Sequence, residues 1–188
     1  MGDYIMKENT LLDQVYVKLE KLNWELVQIW TSRIVFSWRW WLASFLSILP
    51  WIIWLKVHDK NKTGRQVLVC LEVIMVTSFL DVAGLVFGLW HYDWNVVPFI
   101  PVYIPWNCTL FPVFVILLIQ FKPEVKGFYK AVVFSFFCTY IFEPVFEILG
   151  MYHRLRWKHW YSFMIYILIY LFSNYIYNSR RIGDLDKK

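Results

Sequence analysis

Five apolar runs dominate this 188-residue chain: Trp40–Val57, Val67–Trp90, Pro98–Phe121, Gly127–Gly150 and Trp160–Tyr177. Each is close to the roughly 20 mostly apolar residues that a helix needs to cross a bilayer. In lipid a backbone keeps its polar groups paired only as a helix or a closed barrel. The loops between the runs are too short for a soluble domain. The predicted fold class is therefore all-α: an integral membrane helical bundle of five transmembrane helices plus an amphipathic N-terminal helix. Three parts follow: an amphipathic helical segment at 1–39, a five-span membrane domain at 40–178 and a charged cytoplasmic tail at 179–188.

Composition agrees with this reading. The chain is 59% hydrophobic, against about 45–50% apolar residues in a soluble domain. Its mean hydropathy is +0.45. Twelve Trp, 12 Tyr and 16 Phe include Trp38, Trp40, Trp41, Trp51, Trp54, Trp90, Trp94, Trp157 and Trp160 near the ends of runs, where amphipathic rings form an interfacial belt. The net charge of +5 lies in short loops. No basic soluble face, zinc-finger spacing or RNA-binding motif accompanies it, so nucleic acid is not an expected partner. Cys70, Cys108 and Cys138 are isolated within apolar runs and predict no disulfide framework. Charges throughout the first 30 residues leave no signal peptide, so the first span is expected to act as an uncleaved insertion signal.

Loop charges give the expected orientation. Lys56, Lys60, Lys62 and Arg65 mark one cytoplasmic loop, and Lys122, Lys126 and Lys130 another. Arg180, Arg181, Lys187 and Lys188 place the tail on the same side. The loop His91–Val97 is then outside, with the N-terminus out and the C-terminus in, in a cell membrane. Arg154, Arg156 and Lys158 run against this pattern: either anionic groups hold that loop, or one span is misread. Between 11 and 30, Leu12, Val15, Leu19, Leu22, Leu26 and Ile29 form one helical stripe. That stripe suits the membrane interface, a second copy of the chain or a membrane partner.

The chemistry lies in four carboxylates inside apolar runs: Glu72, Asp81, Glu143 and Glu147. Ionisable groups at membrane depth mark functional sites, and no Lys, Arg or His lies inside a span between its terminal turns. Asp81 lies about 21 Å along its run and Glu143 about 24 Å along another running the same way, at 1.5 Å per residue. The two are expected to meet in the outer half of the bilayer, with Glu147 one turn further out. Glu72 points away and is expected near the cytoplasmic surface. Pro144 predicts a kink beside Glu143. Pro98, Pro101, Pro105 and Pro112 break the third run, whose backbone must then face protein or a wet cavity. Asn107 follows that break, and Tyr166 and Tyr170 offer hydroxyls from the fifth run. The candidate binding site is Asp81, Glu143, Glu147, Asn107, Tyr166 and Tyr170. His91, Asp93 and His153 share the outer side as metal-type residues, but their spacing matches no ligand motif. Neither metal nor cofactor is expected, and no GxSxG, P-loop or HExxH signature occurs.

The run DVAGLVFGLWHYDWNVVPFIPVYIPWNCTLFPVFVILLIQF, followed by FEPVFEILGMYHRLRWKHWYSFMIYILIY, resembles a family of small multi-span membrane proteins of spore-forming Gram-positive bacteria. The matching elements are Asp81, Pro101, Pro105, Trp106, Pro112, Gln120, Glu143-Pro144, Gly150-Met151-Tyr152 and Tyr161-Ser162-Phe163. The resemblance spans about Val67 to Tyr177; it implies a bacterial cytoplasmic membrane and carries no activity. A fainter likeness is to small integral-membrane carotenoid cyclases, whose Pro-x-Glu-Glu motif is absent here. The leading expectation is a non-enzymatic protein whose buried acids line a cavity for a proton, a cation or a small solute. A lipid- or isoprenoid-modifying enzyme using a buried carboxylic acid and a structural subunit of another membrane protein are the alternatives.

Overall fold

The structure, a computed structural model, describes residues 11–179. The basic tail residues that helped set the expected orientation lie outside the described residues. The helices are α1 (Leu11–Ile29), α2 (Trp38–Val57), α3 (Thr63–Val86), α4 (Phe111–Gln120), α5 (Gly127–Phe137), α6 (Glu143–Ile148) and α7 (His159–Asn178). Two short strands, β1 (Trp90–Tyr92) and β2 (Tyr152–Arg154), pair antiparallel. The chain is mostly helical, as expected, with this two-stranded ribbon as a correction to all-α.

Three helices are long and apolar enough to cross a membrane: Trp38–Val57, Lys60–Val86 and Gly127–Ile148. The third expected span is helical only over the shorter Pro105–Gln120. Its proline-rich entry, from 93 to 103, runs as an irregular strap across one end of the bundle. Helix α7 has 20 residues, but Ser162, Ser173 and Asn174 interrupt its apolar surface.

Proline explains much of the local geometry. A proline in a helix frees the carbonyl four residues earlier. Pro50 frees that of Leu46, which lies 2.9 Å from the Thr109 hydroxyl. Pro112 frees that of Cys108, which accepts from the Trp51 indole at 3.2 Å. The single Thr109 proton is shared with the carbonyl of Pro105, so each disrupted helix helps to satisfy the other. Both Pro112 and Pro144 also follow a π-helical turn, Pro105–Leu110 and Cys138–Phe142. The kink expected at Glu143 takes that form, with the Glu143 amide bonding back to Cys138.

Helices α3 and α6 end alike. Gly88 (φ 61°) and Gly150 (φ 67°) adopt left-handed backbone. In each case the next amide reaches back five residues, Leu89 to Gly84 and Met151 to Phe146, the paired closure of a Schellman motif. Each turn delivers one strand of the ribbon, so β1 and β2 meet above the same end of the bundle.

Along α3 the buried residues Gln66, Val69, Val73, Thr77, Asp81 and Gly84 recur at three- and four-residue intervals, one helical face. It packs on the Pro105–Leu110 turn and α4, while α7 covers another side. The opposite face is covered as well: Glu72 is 9% exposed and accepts from Ser173 of α7 at 2.8 Å. This corrects the expected surface position of Glu72. At the end remote from the ribbon, Gln120 accepts from the Asp59 amide at 2.8 Å and from Gln66 at 3.0 Å. Lys130, expected in a loop, is buried in α5 and donates to the carbonyls of Leu118, Ile119 and Phe121 at the end of α4. Helix α1 has no buried residue, and its apolar stripe stays exposed.

The reciprocal proline compensation predicts a coupling. Thr109→Val leaves the Leu46 carbonyl unpaired and should lower stability in detergent by about 1–3 kcal/mol. Pro50→Ala restores the helical donor to that carbonyl, so the double variant should lose less than Thr109→Val does alone. Thermal melts of the four proteins measure the coupling, and strict additivity would rule out the compensation.

Candidate functional site

The ribbon closes over a cavity of about 190 Å³ between the ribbon-proximal ends of α3, α6 and α7. Strand alternation explains why. In β1, Trp90 and Tyr92 share one face and His91 takes the other, while in β2 Tyr152 lies opposite Tyr92 and His153 opposite His91. Trp90, Tyr92 and Tyr152 therefore form the cavity roof. Tyr103, Trp106, Phe146, Trp157 and Tyr166 supply the aromatic walls, with Phe146 packed against both Tyr103 and Trp106. Leu80, Ala83, Phe87, Ile165 and Ile169 complete an apolar side.

Asp81 and Glu143 both line this cavity. Asp81 is 3% exposed and accepts four hydrogen bonds. Its Oδ1 takes the Trp90 indole at 2.8 Å and the Tyr92 hydroxyl at 2.7 Å. Its Oδ2 takes the Tyr103 amide at 2.9 Å and the Asn107 side chain at 2.6 Å. These fill the roughly four acceptor positions of a carboxylate. One side chain thereby joins β1, the strap and the turn that opens α4. The broken backbone expected to face protein does so here, through the Tyr103 amide.

Glu143 is also buried, at 7% exposure. Its Oε1 accepts from the Tyr166 hydroxyl at 2.8 Å, and its Oε2 lies 3.2 Å from His159 Nδ1. Ser162, which accepts from the Trp157 indole at 2.9 Å, is a further partner of Glu143. The cation buried within an apolar run, Lys130 of α5, donates to the carbonyls at the end of α4 rather than to these acids. The acids are nevertheless met from their ends: His159 opens α7 beneath Glu143, and Arg154 of β2 approaches Glu147 at 3.3 Å. Arg154 is thus paired with an anionic group, as one of the two readings of that basic loop requires, while the other reading, a misread span, stays open.

The two acids differ in the chemistry of their partners. Each oxygen of Asp81 faces a group that can only donate, the Trp90 indole or the Tyr103 amide. Every partner of Glu143 is a hydroxyl or an imidazole, which donates or accepts as required. Asp81 therefore sits in a frame that demands an acceptor at both oxygens, while Glu143 sits where hydrogen bonds reverse freely.

Of the six expected site residues, Asp81, Asn107, Glu143 and Tyr166 meet at the cavity. Glu147 turns to Arg154 instead. Tyr170 is fully buried one turn below, with its ring tilted against Phe134, outside the lining. The lining residues not expected at the site are Tyr103, Tyr152 and Ser162, together with Trp90 and Trp157 of the expected interfacial belt; His159, beside Glu143, was not expected there either. Tyr103 stacks on Tyr92 with ring centres 4.6 Å apart, and its buried hydroxyl has no partner among the described residues. Desolvation and then the Asp81 carboxylate push the Tyr92 phenol well above its ordinary range, so it remains a donor. Tyr152 is raised in the same way, by burial first and then by Glu143 and Glu147.

Comparison of the chain with protein families, curated proteins and solved structures finds no match.

The contrast between the acids is measurable. Asp81→Asn must set an amide NH₂ against a donor and should destabilise the protein by about 2–5 kcal/mol, from one or two unsatisfied buried groups. Glu143→Gln lets its partners reverse and should cost roughly 1 kcal/mol or less. Thermal unfolding in one detergent compares them; equal losses would remove the distinction.

Proposed function

We propose that this is a multi-pass protein of the bacterial cytoplasmic membrane that binds a small organic cation in the aromatic cavity, with Glu143 as its counter-charge. The reading takes the five-crossing topology, N-terminus outside. In support, the segments 87–97 and 149–158 lie at one end of the bundle. The basic segments carrying Lys60, Lys62, Lys122 and Lys126 lie at the other. The strap and Pro105–Gln120 together make the third crossing; the helical part alone rises about 24 Å.

The observation that carries the ligand class is a carboxylate with reversible partners set among Trp106, Tyr103, Trp157, Tyr152 and Tyr166. Aromatic faces attract a desolvated organic cation through the ring quadrupole, which is how cages recognise quaternary ammonium groups. A cavity of about 150 Å³ accepts a benzene ring, so the volume here suits a molecule of that size. The Tyr103 hydroxyl adds a donor for a polar substituent. In this reading Asp81 holds the roof and takes no part in ligand binding. The apolar side formed by Leu80, Phe87 and Ile165 favours one competing reading, an enzyme acting on an isoprenoid or lipid chain.

Titration of the purified protein with benzyltrimethylammonium, followed by tryptophan fluorescence, tests the proposal. Saturable quenching is expected, and the uncharged tert-butyl isostere should bind at least about tenfold more weakly. Glu143→Gln should lose the preference for the cation while melting like the parent. Equal binding of cation and isostere would overturn the reading. Accumulation of a modified lipid that Glu143→Gln abolishes would replace it with the enzyme.

A further inference from the structure

The outer face of the ribbon carries a second cluster that the cavity does not use. His91 and His153 are directly opposed in the ladder. Asp93 follows His91 by two residues, which returns it to the same face. Each carboxylate oxygen of Asp93 addresses one imidazole. Oδ1 lies 3.3 Å from His91 Nε2, and Oδ2 lies 2.9 Å from His153 Nε2. The rings stack 5.0 Å apart at 17°, and both Nε2 atoms face the same Asp93 carboxylate. A ligand atom from each of the three residues lies within 4.8 Å of the others.

We propose that His91, Asp93 and His153 form a binding site for a first-row divalent transition metal, with Zn²⁺ the foremost candidate. Ligands at about 2.0–2.2 Å from tetrahedral zinc stand roughly 3.3 Å from one another. The two imidazole–carboxylate separations already fall close to that value. The side chains are 42–47% exposed, so small χ rotations bring the imidazoles together, and solvent supplies an entry path. Two imidazoles and one carboxylate are the donor set of zinc, copper, nickel or iron(II). Calcium and magnesium prefer an all-oxygen shell. Three protein ligands leave a coordination position open to water.

The placement also gives the metal an effect. His91 follows α3 and His153 follows α6, so a shared ion ties together the two glycine-terminated ends that carry the cavity roof. The alternative on the same geometry is a purely hydrogen-bonded His–Asp–His bridge, which holds the ribbon without any ion. The metal proposal is independent of what the cavity binds.

The test uses the full chain, purified without a histidine tag, stripped of metal and held in detergent micelles. Calorimetric titration with Zn²⁺ and Ni²⁺ should show one saturable site per chain, with no such site for Mg²⁺ or Ca²⁺. His91→Ala and His153→Ala should each weaken Zn²⁺ binding by at least about 100-fold, more than loss of an outer-shell partner typically does. Asp93→Asn should weaken it by about tenfold or more. His58→Ala, at the far end of the bundle, should leave binding unchanged. Zn²⁺ should raise the melting temperature of the parent but not of His91→Ala. Metal-free melts of the variants that match the parent show that the site, not the fold, was lost. No saturable binding by the parent, or binding that survives in the His91→Ala/His153→Ala double variant, would overturn the proposal and leave the hydrogen-bonded bridge.

Discussion

One buried carboxylate, Asp81, organises the ribbon end of this molecule. It projects from near the end of the buried stripe on α3 and takes donors from β1, from the strap and from the turn leading into α4. None of those segments is a regular helix. In an apolar setting an irregular backbone is tolerated only where its polar groups find partners in protein or water. Asp81 supplies that partner directly to the Tyr103 amide and positions two of the three aromatic residues that roof the cavity, Trp90 and Tyr92. Gly84, one turn beyond, leaves room for this: a Cβ there would fall about 2.0 Å from the Trp90 ring.

The same logic recurs wherever the chain departs from a regular helix. The carbonyls freed by Pro50 and Pro112 are answered by Thr109 and Trp51. Carbonyls of the strap at Asn95 and Val96 are answered by the indoles of Trp30 and Trp40. The carbonyls closing α4 are answered by Lys130. Tryptophan suits this work because its ring is at home in an apolar layer and its N–H only donates. The abundance of tryptophan in this chain thus has a second cause beyond the membrane interface. It provides long apolar arms that carry donors to broken backbone.

This also explains what was legible in the sequence. Run length and composition identify helices of membrane-spanning character, because hydropathy acts locally and needs no partner. The meeting of Asp81 and Glu143 was legible because helical rise sets depth along a run. The strap was half legible: its prolines exclude a helix, but which groups would satisfy it depends on contacts such as Trp40 with Val96, 56 residues apart. The ribbon was not legible at all. Three-residue strands carry almost no periodic signal, and β1 and β2 are defined by pairing across about 60 residues. Tyr152 in the roof and the direct opposition of His91 and His153, expected only to share a side, went unseen with it; His159 beneath Glu143 went unseen because the fifth run was taken to begin at Trp160. The tryptophans were assigned by where such rings usually sit, which says nothing of the direction of an indole N–H.

The division of labour between the acids follows from hydrogen-bond inventory rather than from burial. Both Asp81 and Glu143 are under one-tenth exposed, and both face the same cavity. Burial alone would class them together, as depth along the sequence did. What separates them is whether their neighbours can change sense. Around Asp81 the indole and amide N–H groups hold one fixed direction, so any change of that side chain disturbs the roof. Around Glu143 two hydroxyls and an imidazole accept or donate without moving their heavy atoms. A carboxylate that must answer a charged or protonated visitor needs neighbours of the second kind. The stiff acid therefore builds the chamber, and in the proposed function the adaptable one is the group that would meet the ligand.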